Sequence, residues 1–517
     1  MMVERFVFAR IQRIPDSTLR GLAERLARLV LENWFFALVF VLLWRFPYIV
    51  ADLSGSQVKP SRPTGDSAFW QSEMARALTL ACLAMSYNLL FGFSGIVSFG
   101  HALFFGAGGY VTFILMGHYD AGLQHKALVL VLLVALGLAL FSRLRARALV
   151  VVTLSGVLLA LLLLPAEGAI SFWQAAAVAL LLSLIVSLTS GVVTLRVRGI
   201  YFAMFTLALA EVFWVLAKSG TFRSYTGAED GLAFRSLLPP ALNVTPTADG
   251  SRLTMYHWTV VFFAIIFLAI RRYMSSPVGR VMLAIRDNEE RAQTIGYHTL
   301  FYKVLTMVFA GAIATLSGLL FMIWATDKIV HPDTLSLAYT VDPLLNTLIG
   351  GVGTLTGPVI ATLGLHLGET YLRNETFTLG TRVFGLLAVW QIIALAIAGA
   401  LVGVFRHSLT RLGERLIGAG PRTPRYERLM LAYRGGVFVT LAAVLLLIGG
   451  QLRGEAEAVY NVADLWDLFL GALFVVVVMV LPHGIVGTWN RLWATRRLRR
   501  LERQMRQERE AAGASKP

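Results

Sequence analysis

Fourteen apolar runs close to the length of a bilayer crossing constrain this chain more than any other feature. They lie at about 34–50, 75–95, 97–117, 127–141, 147–164, 170–194, 199–217, 256–271, 303–325, 343–353, 357–371, 383–405, 435–450 and 464–482. A membrane-spanning helix needs about 20 predominantly apolar residues. Inside lipid every backbone polar group must find a partner within the protein, which favours helices here. The expected fold is therefore all-α: a polytopic helical membrane protein with about 10–14 spans. The Gly-rich pieces 97–110 and 343–353 are expected to be re-entrant or broken helices lining a cavity.

Composition agrees. Hydrophobic residues make up 57% and charged residues 15%, against about 25% charged in soluble proteins. The net charge of +16 invites a nucleic-acid reading. Its distribution points instead to topology and anionic lipid headgroups, with no nucleic-acid partner. Arginines cluster in 1–28, 143–147, 196–198, 271–302, 406–434 and 491–509, which fourteen crossings place on one side. The positive-inside rule makes that side cytoplasmic, with both termini there. Basic residues Arg5 to Arg28 precede a first apolar run near Trp34, so the first span is expected to stay as an anchor. Cys82 is the single cysteine, which excludes an internal disulfide and a cysteine-based metal site. Neither metal nor cofactor is expected.

The segment 276–303, SPVGRVMLAIRDNEERAQTIGYHTLFYK, is the longest helix-competent polar stretch between two apolar runs. Ser276 suits an N-cap, Pro277 the first helical position, and Gly296 the closing position. Val281, Met282, Ile285, Ala292 and Ile295 recur at helical spacing as one apolar face. Arg280, Arg286, Asp287, Asn288, Glu289, Glu290 and Arg291 carry the polar remainder. Such a helix suits docking on a soluble partner; the alternative on periodicity alone is a helix flat on the lipid surface.

Three further stretches place polar groups or glycines at membrane depth. In YNLLFGFSGIVSFGHALFFGAGGY (87–110), Asn88, Ser94, Ser98 and His101 sit among glycines that permit bent helices or close packing. In RVRGIYFAMFTLALAEVFWVLAK (196–218), Thr206 and Glu211 interrupt an apolar span. An intramembrane carboxylate needs a partner, either a neighbouring helix or the transported solute. NTLIGGVGTLTGPVIA (346–361) holds Gly350 and Gly351 in another break. Asn88, Ser98, His101, Thr206, Glu211, Gly350 and Gly351 form the expected translocation path.

Together these stretches resemble the permease subunits of branched-chain amino acid ABC transporters, specifically the LivM type. SGIVSFGHALFFGAGGY is similar to that family's GQ-S-GHAAFFGIGAY pattern, and RGIYFAMFTLALAEV to its RGIYLAI-TLAFGEI pattern. Segment 276–303 resembles its coupling segment, GGVGTLTGPVIA its Gly-rich segment, and FVVVVMVLPHGIVG (474–487) its terminal motif. The resemblance implies import of a small solute (a branched-chain amino acid, urea or a short amide) delivered by a periplasmic solute-binding protein. It also implies a second permease subunit and two ABC ATPase subunits, in a bacterial inner membrane. Val281, Ile285, Arg286, Asp287, Asn288, Glu289, Glu290 and Gly296 would then couple to the ATPase. Phe93 stands where the family often has Gln.

No lysine follows a glycine, so the chain lacks a P-loop, and energy must come from another chain or an ion gradient. An ion- or proton-coupled secondary transporter using Glu211 or His101 is the alternative. A membrane-embedded enzyme is disfavoured, because neither HExxH nor GxSxG occurs. The expected organisation is a basic N-terminus (1–33), a first span and external loop (34–74) and a permease core (75–380). Extra spans fall near 118–176 and a coupling loop at 272–302. Inserted helices (381–460), a terminal span (461–488) and a basic tail (489–517) follow.

Overall fold

The computed structural model describes residues 34–59, 65–118, 156, 170–194, 199–234, 237–239, 242, 244, 251–325, 328–373, 440 and 484–489. The main helices are α1 (Trp34–Ser54), α2 (Asp66–Asn88), α3 (His101–His118), α4 (Phe172–Thr194), α5 (Ile200–Lys218) and α6 (Ser251–Ser275). They continue as α7 (Pro277–Asp287), α8 (Glu289–Thr294), α9 (Thr299–Ile323), α10 (Ala338–Gly350) and α11 (Gly357–Arg373). Among the described residues five helices are long and apolar enough to cross a membrane: α2 with its extension to Phe93, α4, α5, α6 and α9. The expected runs at 127–141, 383–405 and 464–482 lie outside the described residues, as do all of 147–164 except Gly156 and all of 435–450 except Thr440.

Burial separates the centre from the rim. In α2, 83% of the apolar window is buried, against 28% in α5, so α2 is central and α5 peripheral. Ile200, Tyr201, Met204, Val212 and Val215 of α5 point outward. Polar side chains tie the central helices together: Ser183 of α4 hydrogen-bonds Thr315 of α9, and Ser187 donates to the Met307 carbonyl at 3.0 Å. Tyr256 of α6 donates to the Leu43 carbonyl at 2.8 Å, and Trp324 donates to Thr259 at 2.9 Å. Between helices in a membrane, small residues and such hydrogen bonds replace the hydrophobic drive available in water.

The loops sort to two ends. Arg252 at the start of α6 donates to the Ala68 carbonyl at 2.6 Å, near the start of α2. The other end of α2 meets α7. The described parts of 218–255 and 326–342 share an end. There Lys218 pairs with Asp333 at 2.9 Å, and β1 (Leu232–Ala233) pairs antiparallel with β2 (Ile329–Val330). This two-residue ribbon is the sole departure from an all-α architecture among the described residues.

Two expectations are corrected. The expected single helix over 277–295 is two. Asn288 adopts an extended conformation (φ −160°, ψ 104°) that ends α7, and its side chain accepts from the Arg291 N–H at 2.9 Å to cap α8. The turn resets the helical register. Met282, Ile285 and Ala292 stay buried with Val281 and Tyr302 against them, but Ile295 emerges 68% exposed. The predicted ends hold: Ser276 accepts from the Gly279 N–H at 3.3 Å, and Gly296 closes α8 at φ +98°. The Tyr297 N–H reaches the Ala292 carbonyl at 3.1 Å and the Gly296 N–H the Gln293 carbonyl at 2.9 Å, a paired C-terminal closure that favours glycine. Second, no break falls in 101–110, where α3 is continuous. The break is earlier, in a wide helical turn at Leu89–Phe93 and irregular backbone to residue 100.

Candidate coupling and translocation site

At the end carrying α7 and α8, the two Gly-rich breaks face each other. Asn88, fully buried at the last position of α2, bridges them. Its Nδ2 donates to the Thr354 carbonyl at 2.8 Å, and its Oδ1 accepts from the Gly353 N–H at 3.0 Å. One side chain thus satisfies a donor and an acceptor that an irregular backbone leaves without helical partners. Gly92 lies in the same contact. A Cβ there would meet the Asn88 side chain and stand 2.6 Å from the Gly353 nitrogen, so only glycine fits. Gly350 and Gly351 are packed by the backbone at Gly484, which brings the start of the short helical segment 484–489 onto the α10–α11 break.

Arg286 completes the junction. Its guanidinium donates to the Gly92 carbonyl, its stem lies over Gly95, and Nη1 lies beside Gly353. α7 is therefore hydrogen-bonded to the α2 break and in contact with the α10–α11 break. Glu289 makes a second tie, an ion pair with Lys303 at 2.7 Å that joins α8 to the second turn of α9. The expected coupling residues accordingly divide. Arg286 and Glu289 bond inward, Asn288 and Gly296 shape the turns, and Ile285 is buried with Val281 half-buried beside it. Asp287 and Glu290 stay exposed, as do Arg280, Arg291, Ile295 and Tyr297.

Ser98, His101 and Thr206 gather at the start of α3. His101 is fully buried, with Nε2 2.8 Å from the Ser86 hydroxyl. Thr206 of α5 accepts from the Phe99 N–H at 3.1 Å, and Ser98 accepts from the Gly100 N–H at 3.3 Å. Thr340 of α10, absent from the sequence expectation, accepts from the Ala102 N–H at 2.8 Å. α3 thus starts inside the protein with its first donors met by two other helices. Nothing local in the sequence marks Thr340 for this. Glu211 stands apart: half-buried on α5, it has no hydrogen-bond or ion-pair partner among the described residues. A 710 Å³ groove opens at this end between the α2–α3 break, the start of α5 and α8, lined by Gly95, Phe99, Ala203, Gln293, Glu289 and Lys303.

The profile described as "branched-chain amino acid transport system / permease component" matches residues 72–376. This span runs from the first turns of α2 past both breaks to the end of α11 and includes α7 and α8. The chain belongs to this permease family. Among curated relatives, the permease is 21% identical over 314 residues to the high-affinity branched-chain amino acid transport system permease protein LivM of Escherichia coli K12. That match covers 56% of this chain and 61% of the relative. It is 29% identical over 110 residues to the probable branched-chain amino acid transport permease protein LivM of Methanocaldococcus jannaschii, covering 21% of this chain and 32% of that one. The permease thus spans about a third to three-fifths of the length of these relatives. No solved structure matches. The family and the relatives share a LivM-type transport permease core, and the five long apolar helices agree with a membrane-embedded protein.

Proposed function

We propose that this chain is a membrane-spanning permease subunit of an ATP-driven importer for branched-chain amino acids or a related small polar solute such as urea or a short amide. In this reading it pairs with a second permease, two ATPase subunits supply hydrolysis from separate chains, and a periplasmic binding protein delivers solute. The site is a bacterial inner membrane with both termini cytoplasmic. The observation that carries the reading is the two-sided character of α7–α8. One side grips the α2 break through Arg286, and the other presents Asp287, Glu290, Ile295 and Tyr297 to a partner. A force applied to the outer side reaches α2 and, through Asn88 and the Arg286 contact at Gly353, the α10–α11 break. Small shifts of packed elements about such junctions open and close passages.

The second reading is an ion- or proton-coupled transporter, favoured by Glu211, a carboxylate at membrane depth without a partner among the described residues. A mild-detergent pull-down of the tagged chain, with mass spectrometry of its companions, separates the two. Recovery of a second permease and P-loop ATPases supports the importer. A chain that comes down alone, at normal expression and insertion, moves the ion-coupled reading ahead.

A further inference from the structure

A second cavity, of 230 Å³, lies between α2, α9, α10 and α11, away from the coupling junction. Drug-sized ligands occupy cavities of about 300–1,000 Å³, so this one suits a smaller solute. Its walls hold one guanidinium, Arg76, and two carboxylates, Asp342 and Glu369, together with the side chains of Leu80 and Leu365. Arg76 is ten residues beyond Asp66, about 15 Å along α2. It opens the apolar run at 75–95, toward the end of α2 that Arg252 reaches.

The guanidinium is held in place. Glu73 pairs with Arg76 at 3.3 Å and is itself fixed by His366 at 3.2 Å and Thr370 at 3.4 Å. The Arg76 carbon Cζ sits 5.2 Å from the centre of the Phe321 ring. Two polar atoms at the site are nonetheless unmatched: Arg76 Nε is buried without a hydrogen-bond partner, and so is the hydroxyl of Thr362, a cavity-lining residue only 1% exposed. A buried hydroxyl and guanidinium N–H left unpaired cost free energy that a bound acceptor recovers.

We propose that this cavity binds a small zwitterion, an α-amino acid with a short apolar side chain. Its carboxylate meets Arg76 and Thr362, its ammonium group meets Asp342 and Glu369, and its side chain lies on Leu80 and Leu365. The proposal rests on the transport reading above and places its solute. Three of the helices that form the cavity, α2, α10 and α11, are those whose other ends are joined by Asn88 and touched by Arg286, so motion of α7 changes the cavity walls.

The test is equilibrium binding of tritiated L-leucine to the full chain in nanodiscs, beside ATP-dependent leucine uptake by the chain with its co-purified partners. Wild type is expected to bind leucine, with weak competition by leucinamide, which lacks the carboxylate. Arg76→Gln and Thr362→Val are each expected to weaken binding about tenfold, the loss of one charge-assisted hydrogen bond. Arg76→Gln should also erase the preference for leucine over leucinamide, and Arg76→Lys should keep it. Absence of leucine binding by wild type, or unchanged affinity and preference in correctly inserted Arg76→Gln and Thr362→Val, overturns the site. Binding that follows this pattern without ATP-dependent uptake upholds the site and overturns the importer.

Discussion

The guanidinium of Arg286 donates to the main-chain carbonyl of Gly92, 194 residues away in sequence. The bond runs from a helix outside the apolar bundle to the point where the most buried span loses its regular helical turn. A wide turn leaves a carbonyl open, and a long cationic side chain from α7 fills that vacancy. Motion of α7 cannot leave α2 behind while this bond persists.

Arg286→Ala is expected to uncouple the machine. Leucine uptake should fall at least about tenfold, since one charge-assisted hydrogen bond is worth about 1.5–3 kcal/mol. ATP hydrolysis by the co-purified subunits and membrane insertion should persist. Uptake and ATPase rates measured on the same reconstituted preparation decide this, and an unchanged ratio of the two would falsify the coupling role.

On the outer side of the same segment the expected defect is different. Ile295→Asp places a charge where an exposed apolar side chain awaits cover, and Glu290→Ala removes an exposed carboxylate. Ile295→Asp should weaken ATPase binding about tenfold, or about 1.4 kcal/mol, with Glu290→Ala milder. The fraction of ATPase retained through graded detergent washes reads this out; full retention by both variants would remove the surface from consideration.

Gly92→Ala is expected to destabilise the permease, because the added methyl meets Asn88 and the Gly353 nitrogen. Overpacking of this kind costs about 1–3 kcal/mol. Gly364→Ala, on α11 with open space at its Cβ, is the matched control. Thermal unfolding in one detergent should show a clear drop for the first and almost none for the second.

Asn88→Ala removes two hydrogen bonds at once and strands the Gly353 N–H and the Thr354 carbonyl. Each stranded buried group costs about 1–3 kcal/mol. The variant should therefore lose more thermal stability than Asn88→Asp, which keeps the acceptor for Gly353. Equal stability of the two would show that the acceptor contributes nothing.

Glu211→Gln is expected to leave thermal stability unchanged, since no partner within the described residues depends on its charge. Uptake or assembly with the second permease should change instead. If uptake, assembly and stability all match wild type, the carboxylate is dispensable.

The sequence alone determined what depends on local pattern. Run length placed the long apolar helices α2, α4, α5, α6 and α9, because hydrophobic length acts segment by segment. Ser276, Pro277 and Gly296 marked the ends of the α7–α8 segment through backbone preferences that need no distant partner. The ordered motifs also carried the family resemblance. Tertiary structure decided everything that pairs residues far apart. Asn88 meets a backbone 265 residues on, Thr340 caps a helix 238 residues earlier, and Arg286 bonds to the Gly92 carbonyl 194 residues before it. It also decided which way Ile295 points. Helical periodicity assumes one unbroken helix, and a single extended residue, Asn288, turns the following face outward.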